Sequence, residues 1–208
     1  MNMKPIKFLF IVSLASLCLS LTPIPYHKVK FVYDGDTVLL ESGEKVRYLG
    51  INAPEVDHEA GESEDMAHEA WKFNRKMVNG VQIRLEHDRE TKDRYGRRLA
   101  YVFLKNGKMV NERLVCKGLA HVMFKNKGLK YRDLLLDSQR KAMKERQGIW
   151  KRKLKGKEKI YLGNSNSLRF HCPDCHFGRK ISEKNLVRFK TIRDAFWEGY
   201  SPCRRCNP

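Results

Sequence analysis

The chain has 208 residues, 41% of them hydrophobic and 32% charged, a balance that excludes a disordered chain and fits one folded core of ordinary size with a small satellite unit. Its formal net charge of +18, from 42 basic and 24 acidic residues, excludes a basic partner and points to an anionic surface or a polyanion. Charge alone does not choose nucleic acid over lipid.

In chain order, Lys4 and Lys7 precede an apolar run from Phe8 to Leu21. That run has the length of a signal-peptide core and falls short of the roughly 20 residues a membrane span needs. Residues 1–22 are therefore expected to be a signal peptide or an uncleaved membrane anchor, making the protein secreted, periplasmic or bound to the cell envelope. Pro23 and Pro25 mark a linker. Strands are predicted over 27–33, 36–41 and 45–51, with Ser42-Gly43-Glu44 as the turn of a hairpin. An acidic loop covers 56–65, and Ser63 is expected to cap a helix in which Met66, Ala70 and Met77 recur at helical spacing as far as Asn79-Gly80. Strands over 81–86 and 98–104 flank the charged loop 87–97. Helices follow over 109–116 and 131–147, and Trp150 is expected to seal the second against the strands. Five short strands with an inserted helix suit a small, partly closed barrel, a form whose loops often bind oligonucleotides. The same propensities also allow an open sheet packed on helices. Either way the fold class is mainly β with helices, α+β.

Phe31 to Glu55 concentrates the chemistry. Asp34 and Asp36 flank Gly35 ahead of the first hairpin strand, Arg47 lies in the second, and Asn52 and Glu55 follow around Pro54. Hairpin pairing brings these acids, the guanidinium and the carboxamide to one sheet edge, the pattern of a hard-cation site beside a phosphate clamp. Singly, each has a plainer use: Asp34 to Thr37 as a turn, Arg47 and Glu55 as a surface pair, Arg97 idle in a charged loop.

Four pieces occur together and in order: VYDGDT at 32–37, RYLGINAPE at 47–55, DRYGR at 93–97 and NGKMVNERLVCKGLAHV at 106–122. Through them the chain resembles the thermonuclease, or staphylococcal-type nuclease, family from about Lys28 to Trp150. The resemblance implies a five-stranded barrel of the oligonucleotide-binding (OB) type with three helices. It also implies Ca2+-dependent hydrolysis of DNA and RNA with little sequence preference. Residue by residue, it makes Asp36, Asn52 and the Ala53 carbonyl the calcium ligands and Asp34 a neighbouring acid. Glu55 becomes the base that activates water, and Arg47 and Arg97 the two arginines on the scissile phosphate. Asn52 stands where the family more often has Asp, which removes one negative charge and is expected to weaken calcium binding. Phe124 stands where the best-known members have Tyr, and is expected to pack against substrate without a hydroxyl.

Residues 151–159, KRKLKGKEK, read as a basic linker, either a solvated charge run or a stretch that follows a nucleic-acid backbone. From residue 151 onward, 15 basic and 5 acidic residues leave +10 in the smaller part of the chain. Cys172, Cys175, Cys203 and Cys206 form two Cys-x-x-Cys pairs, a spacing that surrounds a tetrahedral zinc or, after export, forms disulfides in one of three pairings. The stretches FHCPDC and LVRFKTIRDAFWEGYSPCRRCNP also resemble the small zinc-binding domain of the bacterial DNA-alkylation-repair methyltransferase, whose first ligand pair has three intervening residues. His171 and Cys175 have that spacing, so the resemblance implies a structural Zn2+ on Cys175, Cys203 and Cys206 with His171 or Cys172 as the fourth ligand. Ile192, Ala195, Phe196 and Trp197 are expected to form a miniature core of their own.

The expected organisation is thus a leader over 1–22, a nuclease-like domain over 26–150, a linker over 151–160 and a cysteine-rich zinc-type domain over 161–208. DNA and RNA are the expected partners, with no obligate protein partner. A non-catalytic nucleic-acid-binding module of the same fold is the alternative. An envelope adhesion protein accounts for export and charge and leaves the paired arginines unexplained.

Overall fold

The computed structural model describes residues 25–57, 59, 61–125, 127–152, 156 and 160–208; the predicted leader and most of the predicted linker lie outside the described residues. The first part of the chain runs β1 (Tyr26–Val32), β2 (Thr37–Leu40), β3 (Lys45–Tyr48), β4 (Ile51–Asn52), α1 (Ala67–Val78), β5 (Gln82–Glu86), β6 (Arg98–Leu104), α2 (Val110–Cys116), β7 (His121–Val122) and α3 (Arg132–Lys144). Five of these strands close a barrel in the order β1-β2-β3-β6-β5. Closure is complete, where the strand pattern suggested a partly closed form. A register shift between Val29 and Phe31 bends β1 so that it pairs with β2 at one end and β5 at the other. Leu99 to Phe103 are all buried because one face of β6 lines the barrel and α2 packs on the other.

Two local expectations are corrected. The strand predicted over 45–51 breaks at Gly50, whose φ of +79° belongs to the left-handed region. The chain then leaves the barrel, and β4 pairs instead with β7 (Ile51↔Val122, Asn52↔His121). Ser63 does not cap α1: that helix begins after Met66, and the Ser63 hydroxyl accepts the Asp57 N–H at 3.1 Å, ordering the acidic loop.

The C-terminal part contains β8 (Tyr161–Asn164), β9 (Arg169–His171), α4 (His176–Arg179), β10 (Leu186–Phe189), α5 (Ile192–Trp197) and β11 (Ser201–Pro202). Its sheet has the order β10-β8-β9-β11, with β11 parallel to β9. Thr191 and Asp194 form a reciprocal capping box at the start of α5, each side chain accepting the other's backbone N–H at 3.0 Å. The expected miniature core is not separate. Phe196 meets Phe170 at 5.3 Å between ring centroids, but it also meets Trp150 at 5.1 Å and His121 at 5.3 Å. Gln139 of α3, fully buried, accepts the Val122 N–H at 2.8 Å and donates to the Phe196 carbonyl at 2.5 Å. Arg140 donates to the Trp197 carbonyl at 3.0 Å, and Arg193 returns a bond to the Met143 carbonyl at 2.9 Å. One continuous apolar cluster therefore spans both parts of the chain.

Candidate active site and metal centre

The turn between β1 and β2 places Asp36 inside the protein. Its own N–H donates to Asp34 Oδ1 at 2.7 Å. Gly35 does not take a positive φ here; it is required for close approach, since a β-carbon would stand 2.5 Å from Ala53 Cβ and 2.8 Å from Ala70 Cβ. Asp36 Oδ1 accepts the Thr37 hydroxyl at 3.1 Å, and Oδ2 accepts the Ala53 N–H at 2.6 Å. Oδ2 also lies 2.8 Å from Arg47 Nη1. The register Thr37↔Arg47 between β2 and β3 accounts for the meeting.

Arg47 is held by more than Asp36. Nη1 donates to the Tyr48 and Ile51 carbonyls, both at 3.0 Å, and Nη2 donates to Asn52 Oδ1 at 2.9 Å. The guanidinium thus ties the barrel to β4. Glu55 stands exposed at the rim, its backbone clamped to Glu64 in both directions: Glu55 N–H to Glu64 Oε2 at 3.0 Å, and Glu64 N–H to the Glu55 carbonyl at 3.1 Å. Burial pushes the Asp36 carboxyl above the usual carboxylate range, reinforced by the charges of Asp34 and Glu55 and opposed by Arg47 and the Ala53 amide. The Glu55 carboxyl is pushed the same way by partial desolvation and then by Asp34, with Arg47 and Arg204 opposing, and its exposure to solvent screens the effect. Crowded carboxylates and neutral oxygen donors suit a hard divalent cation. Asp36, Asn52 and the Ala53 carbonyl are adjacent; the Asn52 side-chain amide donates to that carbonyl at 3.3 Å.

Two predicted site residues are not brought to this cluster. Arg97 is turned to Asp93, with Nε 2.8 Å from Oδ2, and lines a separate depression with Lys45, Lys92 and Tyr95. Its backbone is not far off, because Arg98 is paired with Val46 in the parallel β3–β6 register. Phe124 is fully buried, with the Arg132 guanidinium 5.5 Å from its ring centroid, and offers no face to a substrate.

Sequence reasoning missed several groups that hold the site. Asn74, buried on α1, accepts the Tyr48 hydroxyl at 2.9 Å and donates to the Asp34 carbonyl at 3.0 Å. It shares a stripe with Ala67, Ala70 and Val78, and a polar residue at a core position of a helix was the readable signal. Glu64 carried no such signal.

In the C-terminal part, the ligand atoms of His171, Cys175, Cys203 and Cys206 all lie within 4.8 Å of one another. That span suits a tetrahedral shell with metal bonds of about 2.0–2.3 Å. Of the two candidates for the fourth ligand, the geometry selects His171. Cys172 instead supplies its N–H to Cys206 Sγ at 3.4 Å. Cys175, Cys203 and Cys206 carry free thiols. Burial and then Arg169 hold His171 below its ordinary pKa, which favours the neutral imidazole that binds metals. Burial opposes ionisation of Cys175, yet the Gly178 and Phe177 amides bring its thiol below the ordinary value.

A closed five-stranded barrel with this acid and guanidinium on one edge is a nuclease-type hydrolytic fold, here joined to a small Cys/His metal-binding unit. The chain belongs to the staphylococcal nuclease homologue family, whose model matches residues 45–152, while residues 146–208 match the metal binding domain of Ada. It is 39% identical over 127 residues to the thermonuclease of Staphylococcus intermedius and 35% to that of Staphylococcus hyicus, in each case over 60% of this chain and 75% of the relative. It is also 35% identical over 122 residues to Endonuclease YncB of Bacillus subtilis (strain 168), covering 56% of this chain and 57% of that protein.

Proposed function

We propose that the protein is an exported, calcium-dependent nuclease that hydrolyses phosphodiester bonds of DNA and RNA with little sequence preference. The observation that carries this reading is the contact of buried Asp36 with Arg47 and of Arg47 with Asn52, beside Glu55 at the rim, in a family member whose relatives are named thermonuclease and endonuclease. Asp36, Asn52 and the Ala53 carbonyl would hold the calcium ion. When bound, a hard cation there neutralises charge growing on the non-bridging phosphate oxygens. Glu55, at the solvent rim, accepts a proton from water, and its raised pKa makes it a better base than a free glutamate once ionised. Arg47 presents a fixed guanidinium that stays charged at working pH. His171, Cys175, Cys203 and Cys206 hold a structural zinc, and the apolar leader supports export.

Digestion of single- and double-stranded DNA and RNA with calcium, magnesium or chelator, comparing the wild type with Glu55→Gln, tests the reading. Calcium-stimulated cleavage that falls about 10²–10⁴-fold in the variant is expected. Clean protein that binds the polymers but cuts none of them would assign a binding module instead.

A further inference from the structure

The cleft beside Asn52 and Glu55 is closed on its far side by the C-terminal part. It has a volume of about 520 Å³, with Asn52, Glu55 and His121 on one wall and Arg169, Cys203 and Arg204 on the other. Arg204 lies between Cys203 and Cys206, so both of its flanks are anchored by the metal-binding cluster. Its side chain crosses the cleft, with Nη2 3.4 Å from Asn52 Oδ1. Arg169, two residues before His171 on β9, is steered by Nη1 bonds to Ser201 Oγ at 2.9 Å and to the Pro202 carbonyl at 3.3 Å.

These neutral acceptors position Arg169 without cancelling its charge. Among the described residues neither Arg169 nor Arg204 forms a salt bridge, whereas Arg97 and Arg47 both do. Two guanidiniums therefore stand at one wall, across the cleft from Glu55 and Glu64 but in an ion pair with neither, and Arg169 is partly buried there. A phosphodiester strand lying in the cleft supplies close anionic acceptors in the geometry that guanidinium forks prefer.

Resting on the nuclease reading above, we propose that Arg204 and Arg169 are phosphate-binding residues of the nuclease cleft, contributed by the metal-binding unit. They grip the backbone of a DNA or RNA strand at phosphates beside the one that is cut. The metal-binding unit is then a wall of the active site and not a tethered accessory, and Arg204 takes up a phosphate-binding task on the side of the cleft that Arg97 does not reach.

The knuckle carries its own control. Arg205, the next residue and equal in charge, places its guanidinium 5.7 Å from the ring centroid of Phe177 and does not line the cleft. Binding of a labelled single-stranded oligonucleotide is measured across a salt series with calcium chelated and zinc content verified. Cleavage is measured in parallel with calcium. The full chain is compared with Arg204→Ala, Arg204→Gln and Arg205→Ala. The two Arg204 variants are expected to bind about 10-fold more weakly, with a salt slope shallower by about 0.7, and to lose kcat/KM in step; Arg205→Ala stays within about twofold of wild type. Equal behaviour of the Arg204 and Arg205 variants overturns the proposal. So does faster cleavage by Arg204→Ala, which would make Arg204 an inhibitory cap on Asn52. Wild type that binds through Arg204 yet cuts nothing refutes the nuclease reading and keeps the phosphate grip. Wild type that cuts regardless of Arg204 does the reverse.

Discussion

Arg47 Nη1 lies 2.8 Å from Asp36 Oδ2, and the two side chains are only 6% and 2% exposed. Losing Arg47 would leave the Tyr48 and Ile51 carbonyls without their guanidinium and drive the already raised Asp36 carboxyl further toward its neutral form. Arg47→Ala is expected to abolish cleavage and to destabilise the fold by about 3–5 kcal/mol in denaturant titration. Arg47→Lys keeps the charge and loses the fork to Asn52, so it falls between. Wild-type stability of Arg47→Ala would mean that the Tyr48 and Ile51 carbonyls find other partners without the guanidinium.

Gly35 offers a way to perturb the same site without touching a charge. A methyl group there collides with Ala53 and Ala70, at 2.5 and 2.8 Å, and must push the Ala53 peptide away from Asp36. A displacement of about 1 Å in a reacting constellation costs on the order of 10² in rate. Gly35→Ala is therefore expected to lower kcat by about that factor while oligonucleotide affinity changes little. An unchanged kcat would show that the Ala53 peptide has no part in the chemistry.

What was legible in the residues depended on range. β6, from Arg98 to Leu104, lies where a strand was predicted, although its five central residues are all buried and do not alternate. The hairpin bringing Asp36 to Arg47 was also legible, because its turn is short and its register follows. Gly50 was harder: the same residue type that permits a turn can also sit in a strand, and only the docking of β4 on β7 decides. Arg97 is turned from the cluster by Asp93, a local partner four residues away that competes with the distant site. Phe124 lost its expected access through a contact with no local trace: a β-carbon on Gly199 would lie 3.3 Å from its ring. Arg204 belongs to the same kind. The Cys-x-x-Cys spacing announced a metal knuckle, while its reach to Asn52, 152 residues earlier, exists only once α5 has docked.

That docking couples metal binding to the stability of the barrel. Phe196 and Gln139 join the two parts through apolar contact and a buried amide, so the chain should unfold in one transition. Stripping zinc with a strong chelator is expected to lower the melting temperature of the whole protein in calorimetry. Gln139→Leu, which leaves the Val122 N–H and Phe196 carbonyl without a partner, is expected to cost about 1–3 kcal/mol. A barrel that melts at an unchanged temperature after zinc removal would show the two parts to be uncoupled.

His121 supplies a pH signature of the same interface. Burial, helped by Arg169, Arg47 and Arg204, pushes its pKa down to about 4 against a bond to the Val122 carbonyl. In the unfolded chain it protonates near 6.5, so between about 6.5 and 4 the unfolded state binds the extra proton. Stability from this group is thus complete above about pH 6.5, declines as pH falls to about 4, and is flat below. The loss is at most about 3 kcal/mol. His121→Gln should flatten that part of the difference curve in denaturant titrations at pH 4–7; an unchanged slope would place the titrating group elsewhere.

In the proposed calcium site, Asn52 is the neutral donor whose charge can be changed by one atom. Its Oδ1 already accepts Arg47 Nη2 at 2.9 Å and Arg204 Nη2 at 3.4 Å, so a carboxylate introduced there meets two guanidiniums as well as the ion. The added charge favours calcium, and the two arginines take back part of the gain. Asn52→Asp is expected to tighten calcium binding about 3- to 10-fold, read from the calcium dependence of cleavage and by calorimetry. The gain should be larger when Arg204→Ala is combined with it, because one competitor is then gone. Calcium affinity that is unchanged in both variants would remove Asn52 from the cation site and leave its carboxamide as a tether for Arg47.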